Sequence, residues 1–261
     1  MTSPAVEVRG LQAGYGDRLI LKGVDMVVPR GQIRVILGGS GCGKSTLMKS
    51  IIGLTPVKAG EIELMGVNLT TLSEDERAAQ LRQVGVVFQS GALIGSMTVG
   101  ENVALPLHEH TKLPDDAIAE LVRMKLELTN MAFAQHLYPG QLSGGMRKRA
   151  SLSRAMALDP PVLFCDEPSA GLDPLSSAEL DHLLLQLRDL FGMTMVVVTH
   201  ELSSIETIAD SAIMLVGGKA VAEGTLKEIR SLGNKDVNDF FGRSPGEERL
   251  RGQTLRDRLM T

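Results

Sequence analysis

The stretch that most constrains the fold is Gly38-Gly39-Ser40-Gly41-Cys42-Gly43-Lys44-Ser45-Thr46. It fits G-x-x-x-x-G-K-[ST], and it lies between a short apolar run, residues 32–37, and a stretch that reads as a helix from Lys44 to about Gly53. Strand, glycine loop and helix in that order make a cradle for phosphate. The glycines let the backbone curl so that its N–H groups point inward, and the helix mouth adds partial positive charge. Lys44 supplies a full charge to the outer phosphates, and the Ser45 hydroxyl can ligate Mg²⁺. Cys42 sits inside the loop at a variable position and reads as a bystander.

The chain around this loop reads as α/β. Residues 5–9 and 18–28 read as strands of an opening antiparallel layer, with a turn at 13–17. Further strands are expected at 59–66, 84–88, 161–165, 193–199 and 211–216. A helix at 175–191 fills one of the gaps, and strand–helix–strand alternation implies a parallel sheet. Between about 90 and 159 the texture is mostly helical. Ile118, Leu121, Val122, Lys125 and Leu128 fall near one face of a helix opening at Pro114-Asp115-Asp116. The expected organisation is a core at about 1–89 and 160–236, a helical insert at about 90–159, and a polar C-terminal extension at 237–261.

The bulk numbers bear on partners. With 261 residues the chain can bury a full core. Net charge is −4, which argues against a dedicated nucleic-acid binder. Two cysteines, Cys42 and Cys165, make no disulfide framework and fit a reducing compartment. No secretory signal and no membrane-spanning run is expected from the pattern.

Two further segments carry chemistry. In residues 162–174, Asp166 and Glu167 directly follow an apolar strand. Asp166 can hold Mg²⁺ through water, and Glu167 can polarise an attacking water. His200 follows the apolar run 193–199, a strand expected to neighbour the Asp166 strand, and a γ-phosphate contact is its best reading. In "QLSGGMRKR", residues 141–149, Ser143 is a good helix N-cap, and Gly144 and Gly145 present bare N–H groups. This is a second anion-facing helix start, with no lysine inside its loop. A full phosphate site plus an isolated second one suggests two copies sharing one nucleotide. Arg147, Lys148 and Arg149 advance about 100° per residue and line no common face.

Taken together, these segments resemble the ATP-binding subunit of an ABC transporter, over roughly residues 5–230. The match is to its Walker A loop (Gly38–Thr46), Walker B strand (through Asp166 and Glu167) and signature motif (Ser143, Gly144, Gly145). Gln89 looks like the Q-loop glutamine, residues 169–173 ending at Asp173 like the D-loop, and His200 like the switch histidine. Tyr15 stands where the family places an aromatic on adenine. The resemblance implies a P-loop NTPase cassette: a mixed-sheet core, an antiparallel β layer and a helical subdomain. It also implies Mg²⁺ and ATP as cofactors, and a head-to-tail homodimer. Each ATP would lie between one copy's Walker A loop and the other copy's Ser143–Gly145. Glu167 would be the general base, with Lys44 and His200 beside it. Gln89, Ser45 and Asp166 would face the ion, and Gln89 would link it to a membrane-spanning partner.

Residues 88–113 and 142–174 more narrowly resemble the ATPases of Mla/MCE lipid transport systems. That resemblance implies an MlaE-type permease docked on 88–113, an MCE-domain lipid-binding protein, and a STAS-domain protein as a further partner. It implies a peripheral position on the cytoplasmic side of the inner membrane, and no nucleic acid. The segment 236–245 also loosely resembles that group's C-terminal extension, which reaches toward the other protomer. The competing readings are an importer ATPase for amino acids or other small solutes, and a soluble ABC ATPase of the iron–sulfur assembly type. Met146 stands where many relatives have Gln. Because it follows the two glycines, Met146→Gln is expected to leave ATP hydrolysis near the parent level in a phosphate-release assay; a collapse of the rate would make Met146 part of the machinery.

Overall fold

The computed structural model describes residues 3–242. Two sheets carry the chain. The first contains β1 (Val6–Tyr15), β2 (Arg18–Val28), β4 (Val57–Leu64) and β5 (Val67–Asn68), antiparallel in the order β2-β1-β4-β5. The second contains β3 (Ile33–Leu37), β6 (Val84–Val87), β7 (Val162–Asp166), β8 (Thr194–Val198), β9 (Ser211–Val216) and β10 (Lys219–Gly224). Its order is β10-β9-β3-β8-β7-β6. Every neighbouring pair in it is parallel except β9 with β10. The sheet is therefore mixed, with an antiparallel edge.

The expected turn at 13–17 is shorter than the sequence suggests. Pairing continues through Gly14↔Leu19 and Tyr15↔Arg18, so only Gly16 and Asp17 turn. Gly16 takes φ 52°, which a two-residue hairpin demands.

Side chains alternate across the second sheet with period two. Ile36, Phe164, Val196 and Ile213 point into the layer shared with the antiparallel sheet and α1 (Lys44–Ile51). Val35, Leu163, Val197 and Ala212 point to the opposite face. There they meet α5 (Gly144–Ala155), α6 (Pro174–Phe191) and α7 (Leu202–Ile208). Burial on both faces explains the unbroken apolar runs of the central strands. Helix α1 ends at Ile51, before the expected Gly53, which takes a left-handed φ of 77°.

The helical segment has its own core. It joins α3 (Val99–His110) and α4 (Asp115–Leu128) to one side of α5 through Val99, Val103, Val122, Leu126 and Ala150. Lys125, on the apolar face of α4, is buried and pairs with Asp159. Helix α2 (Glu74–Leu81) was not expected from sequence. It buries no residue and shows no apolar stripe, but Ser73 and Glu76 close a capping box.

The boundary expected at 237 falls inside a helix. After α8 (Leu226–Ser231), α9 (Lys235–Phe241) docks Val237 and Phe240 into the core beneath β9 and β10. An i, i+3 apolar pair is enough to seat one turn. The remainder of the expected extension, 243–261, lies outside the described residues.

One buried polar group holds the loop before α3. Asn102 is fully buried; its Oδ1 accepts from Ile94 N–H at 2.7 Å, and its Nδ2 donates to the carbonyls of Ile94, Met97 and Thr98 at 3.1, 3.2 and 2.9 Å. Removing it strands a buried N–H, at about 1–3 kcal/mol. Asn102→Ala is expected to lower the urea midpoint accordingly and to make residues 93–98 the first site cut in limited proteolysis.

Candidate active site

The loop at 38–43 leaves β3, the strand at which connections depart to both sides of the sheet; such switch points are where open α/β sheets bind ligands. Its glycines are required by close approach as well as conformation. Gly38 takes φ 142°, and a Cβ there would lie 2.4 Å from the Leu215 carbonyl oxygen and 2.6 Å from Cys42 Sγ. Gly43 takes φ 113°, and a Cβ there would lie 2.8 Å from Leu21 Cδ2. Gly41 also takes a left-handed φ, 74°, whereas Gly39 has open space and Ser40 is exposed. Cys42 is buried in the loop.

Leu47 is the first residue of α1 whose N–H reaches a carbonyl of its own helix, Gly43 O at 2.8 Å. The N–H groups of Lys44, Ser45 and Thr46 precede it at the helix mouth, without intrahelical acceptors. Lys44 Nζ curls over the loop and donates to Gly38 O at 2.8 Å and Gly39 O at 3.1 Å. The loop is thus a basic, N–H-rich concavity suited to an anion.

The acidic pair meets this loop from the end of β7, which lies one strand beyond β8 in the sheet. The Ser45 hydroxyl donates to Asp166 Oδ1 at 3.1 Å. Both are hard oxygen donors of the kind Mg²⁺ takes alongside phosphates and water. Among the described residues, no group of three or more His, Cys, Asp and Glu could hold a metal ion by itself. The donor set therefore fits an ion completed by nucleotide phosphates. Gln89, just after β6, has an exposed side chain at the same strand-end edge.

Glu167 departs from ordinary backbone geometry. Its φ is 49°, a region non-glycine residues rarely adopt, and such strain clusters at functional positions. Its N–H donates to Val198 O at 2.8 Å, tying it to β8. Both carboxylate oxygens meet His200 Nδ1, at 2.8 and 2.9 Å. β7 and β8 are neighbours, pairing Asp166 with Val198, and this brings the histidine within reach. The carboxylate is buried while the imidazole is 60 % exposed, so His200 forms the solvent-facing side of the pair.

Sequence reasoning missed one member of this cluster, Lys148. It is buried, and its Nζ donates to Gln89 O at 2.6 Å and Glu167 O at 2.9 Å. Burial pulls the ammonium's pKa below its ordinary value, against the nearby Cys165, Glu167, Asp166 and Glu201. The helical advance of Arg147, Lys148 and Arg149 did signal three different environments. Arg147 donates to Leu142 O, and Arg149 pairs with Glu179. Cys165, beneath the site, has its thiol pushed up to about 12 by burial and is inert.

The other expected residues stand apart from this cluster. Tyr15 is half-exposed at the end of β1, its hydroxyl 3.3 Å from Thr55 Oγ1. Asp173 caps α6, its Oδ1 accepting from Leu175 and Ser176 N–H at 3.1 and 3.0 Å. The Ser176 hydroxyl holds that carboxyl below its usual range. Ser143 caps α5 through Met146 N–H at 3.2 Å. Gly144 and Gly145 lie beside Leu172 and Ser176, and among the described residues no hydrogen bond joins them to the phosphate loop.

A phosphate loop on β3, facing two carboxylates at the end of β7, defines a P-loop nucleotide-binding cassette. Comparison with known proteins places it further. Residues 21–170 match the ABC transporter family model. The intermembrane phospholipid transport system ATP-binding protein MlaF of Haemophilus influenzae is 38 % identical over 96 % of both chains. The protein described as a probable ribonucleotide transport ATP-binding protein, mkl, of Mycobacterium leprae is 41 % identical over 91 % of this chain and 68 % of its own. Among solved structures, a dimeric ATP-binding cassette in a post-hydrolysis state, bound to ADP and Pi, superposes with TM-score 0.77 at 30 % identity, over 85 % of this chain and 98 % of that one. CbiO1 of Clostridium perfringens, part of an ABC transporter complex, superposes with TM-score 0.80 at 28 % identity, over 96 % of this chain and 99 % of that one. The chain belongs to the ABC transporter ATP-binding family, and it is an ABC-type ATPase.

Gly38→Ala tests the loop geometry. Its Cβ would meet a backbone carbonyl that cannot step aside. The substitution is expected to destabilise the fold by about 1–3 kcal/mol and to abolish binding of a fluorescent ATP analogue. Retained binding would show that the loop tolerates a different curl.

Proposed function

We propose that the chain is the ATP-hydrolysing motor subunit of a transporter that moves phospholipid between the two membranes of a cell envelope, and that it works as a head-to-tail dimer. The observation that carries the lipid reading is the end-to-end match, 96 % of both chains, to the MlaF phospholipid transport protein. The mycobacterial relatives favour a second reading, ribonucleotide transport. This chain spans only 68 % of the leprosy-bacillus relative, so about a third of that protein has no counterpart in the alignment.

The head-to-tail dimer is supported by what the signature glycines lack. Neither Gly144 nor Gly145 has a left-handed φ, and a Cβ at either would meet its neighbours only at ordinary contact, 3.5 Å or more. The chain's own packing has room for alanine at both positions. Bare glycine there suits close approach by something from outside the chain. A nucleotide held by the other copy's Walker A loop fits, because the first N–H groups of α5 await an anion.

In this reading ATP lies along residues 38–46, with adenine on Tyr15 and the phosphates over the α1 mouth. Ser45, Asp166 and Gln89 face Mg²⁺, which would neutralise developing charge on the phosphates. Glu167 is the general base for the attacking water, and His200 holds its carboxylate and faces the γ-phosphate. Lys44 turns from the loop carbonyls to the phosphate oxygens. Asp173 contributes by setting the start of α6 beside the signature glycines. Residues 88–113 dock an MlaE-type permease, with MCE-domain and STAS-domain proteins completing the complex. No helix among the described residues is long and apolar enough to cross a membrane; in this reading the permease holds the chain at the bilayer.

Glu167→Gln tests the assignment. It keeps the shape and removes the base, a contribution of about 10²–10⁴-fold in rate. The expected result is loss of hydrolysis to that extent, with an ATP-bound dimer accumulating on size exclusion. Hydrolysis at the parent rate would refute the base assignment. For the cargo, the membrane complex purified through this chain should carry phospholipid detectable by mass spectrometry; ATP-dependent ribonucleotide uptake without bound lipid would favour the second reading.

A further inference from the structure

Lys148 is a buried charge beside the acidic pair that the proposed mechanism leaves unused. It lies one turn into α5, four residues beyond Gly144, so the two share a helix face. Its Nζ donates to the carbonyls of Gln89 at 2.6 Å and Glu167 at 2.9 Å. One ammonium thereby joins three segments: the helix that begins with the signature glycines, the loop after β6, and the backbone of the strained Glu167. An ammonium is compact and freely rotating, and it can follow two carbonyls as they shift.

The Glu167 peptide is held at few points. Its N–H is tied to Val198 O, and its carbonyl accepts from Lys148 and, at 3.2 Å, from Ala170 N–H. At φ 49° this residue stays in place only while its surroundings hold it there. A displacement of α5 pulls on the Glu167 carbonyl, and rotating that peptide re-aims the carboxylate.

We infer that Lys148 is a positioning residue that couples the two nucleotide sites of the dimer: the signature helix that senses the partner's nucleotide sets, through Lys148, the aim of Glu167 at this chain's own nucleotide. The inference rests on the head-to-tail reading above. In that arrangement α5 touches the nucleotide bound by the other copy, whereas Glu167 acts on the one bound by its own. Occupancy of one site then makes the other competent. Lys148 itself touches neither nucleotide nor ion.

The test is steady-state ATP hydrolysis by the full-length chain, as parent, Lys148→Met and Lys148→Arg. Met keeps the length without a donor, and Arg keeps donors. The parent is expected to hydrolyse ATP with a Hill coefficient above one, the limit for two sites being two. Lys148→Met should bring it to about one and lower kcat by about 10–10²-fold, the scale of a misplaced catalytic group. Its affinity for a fluorescent ATP analogue, measured on the monomer, should not change. Lys148→Arg should restore part of both the rate and the cooperativity.

A non-cooperative parent, or a Met variant with the parent's Hill coefficient, overturns the inference. So does a common loss of the thermal unfolding transition in both variants, which would make Lys148 a folding element only. Glu167→Gln separates the two levels. If it is inactive while Lys148→Met behaves as the parent, the coupling alone fails. If it hydrolyses normally, the underlying reading fails whatever Lys148 does.

Discussion

The close passage of the phosphate loop under the Leu215 carbonyl is the contact on which the rest depends. At Gly38 there is no room for a single methyl group. The loop lies that deep because β3 sits between β9 and β8, with parallel partners on both sides. Depth has two consequences. The α1 mouth is brought level with the ends of β7 and β8, so Ser45 can reach Asp166. The loop also becomes a wall of the sheet core, with Gly43 against Leu21 of the antiparallel layer. The antiparallel sheet thus buttresses the site, and its β1–β2 hairpin carries Tyr15.

The acidic side of the site is built on an opposite principle. Where the phosphate loop depends on the absence of side chains, Glu167 is a full side chain held in a conformation that suits glycine. The strain, about 1–3 kcal/mol, is offset by hydrogen bonds from three directions: Val198 on β8, Lys148 on α5 and Ala170 in the following turn. Each tether comes from a different element, so the carboxylate's aim reports on the mutual arrangement of sheet, signature helix and D-loop. A relaxed glutamate on a regular strand end would carry no such information.

What the sequence made legible followed from short-range rules. The Walker A spacing, the alternation of strands and helices, and Ser143 as a cap depend on residues close together in the chain. β8 beside β7 follows from topology; the contact of His200 with Glu167 that this adjacency creates is not among the sequence expectations. The losses were long-range or lacked a periodic signal. Helix α2 buries no residue fully and packs only a half-buried edge, Arg77, Gln80 and Leu81, so its capping box is its main clue. Helix α9 reads as polar tail because Val237, Phe240 and Phe241 are its only apolar positions among polar and charged residues, and the core they join is distant in sequence. Lys148 was hidden more thoroughly. A lysine between two arginines looks like surface charge, and its acceptors are backbone carbonyls 59 and 19 residues away, which no side-chain pattern reveals.

The two glycine sites of the chain finally separate by the reason each needs glycine. At Gly38 and Gly43 the reason is internal, because a side chain would collide with the protein itself. At Gly144 and Gly145 no internal reason exists, yet the helix start is capped, exposed and built for an anion. A residue choice that the isolated chain does not require is best understood as imposed by an assembly. The monomer contains a complete phosphate cradle and a complete acidic pair, and in the proposed dimer the start of α5 would supply half of a second interface apart from both. On the head-to-tail reading proposed above, Lys148 is a buried ammonium that joins the signature helix to the backbone of Glu167, a connection that coupled hydrolysis at two sites would use.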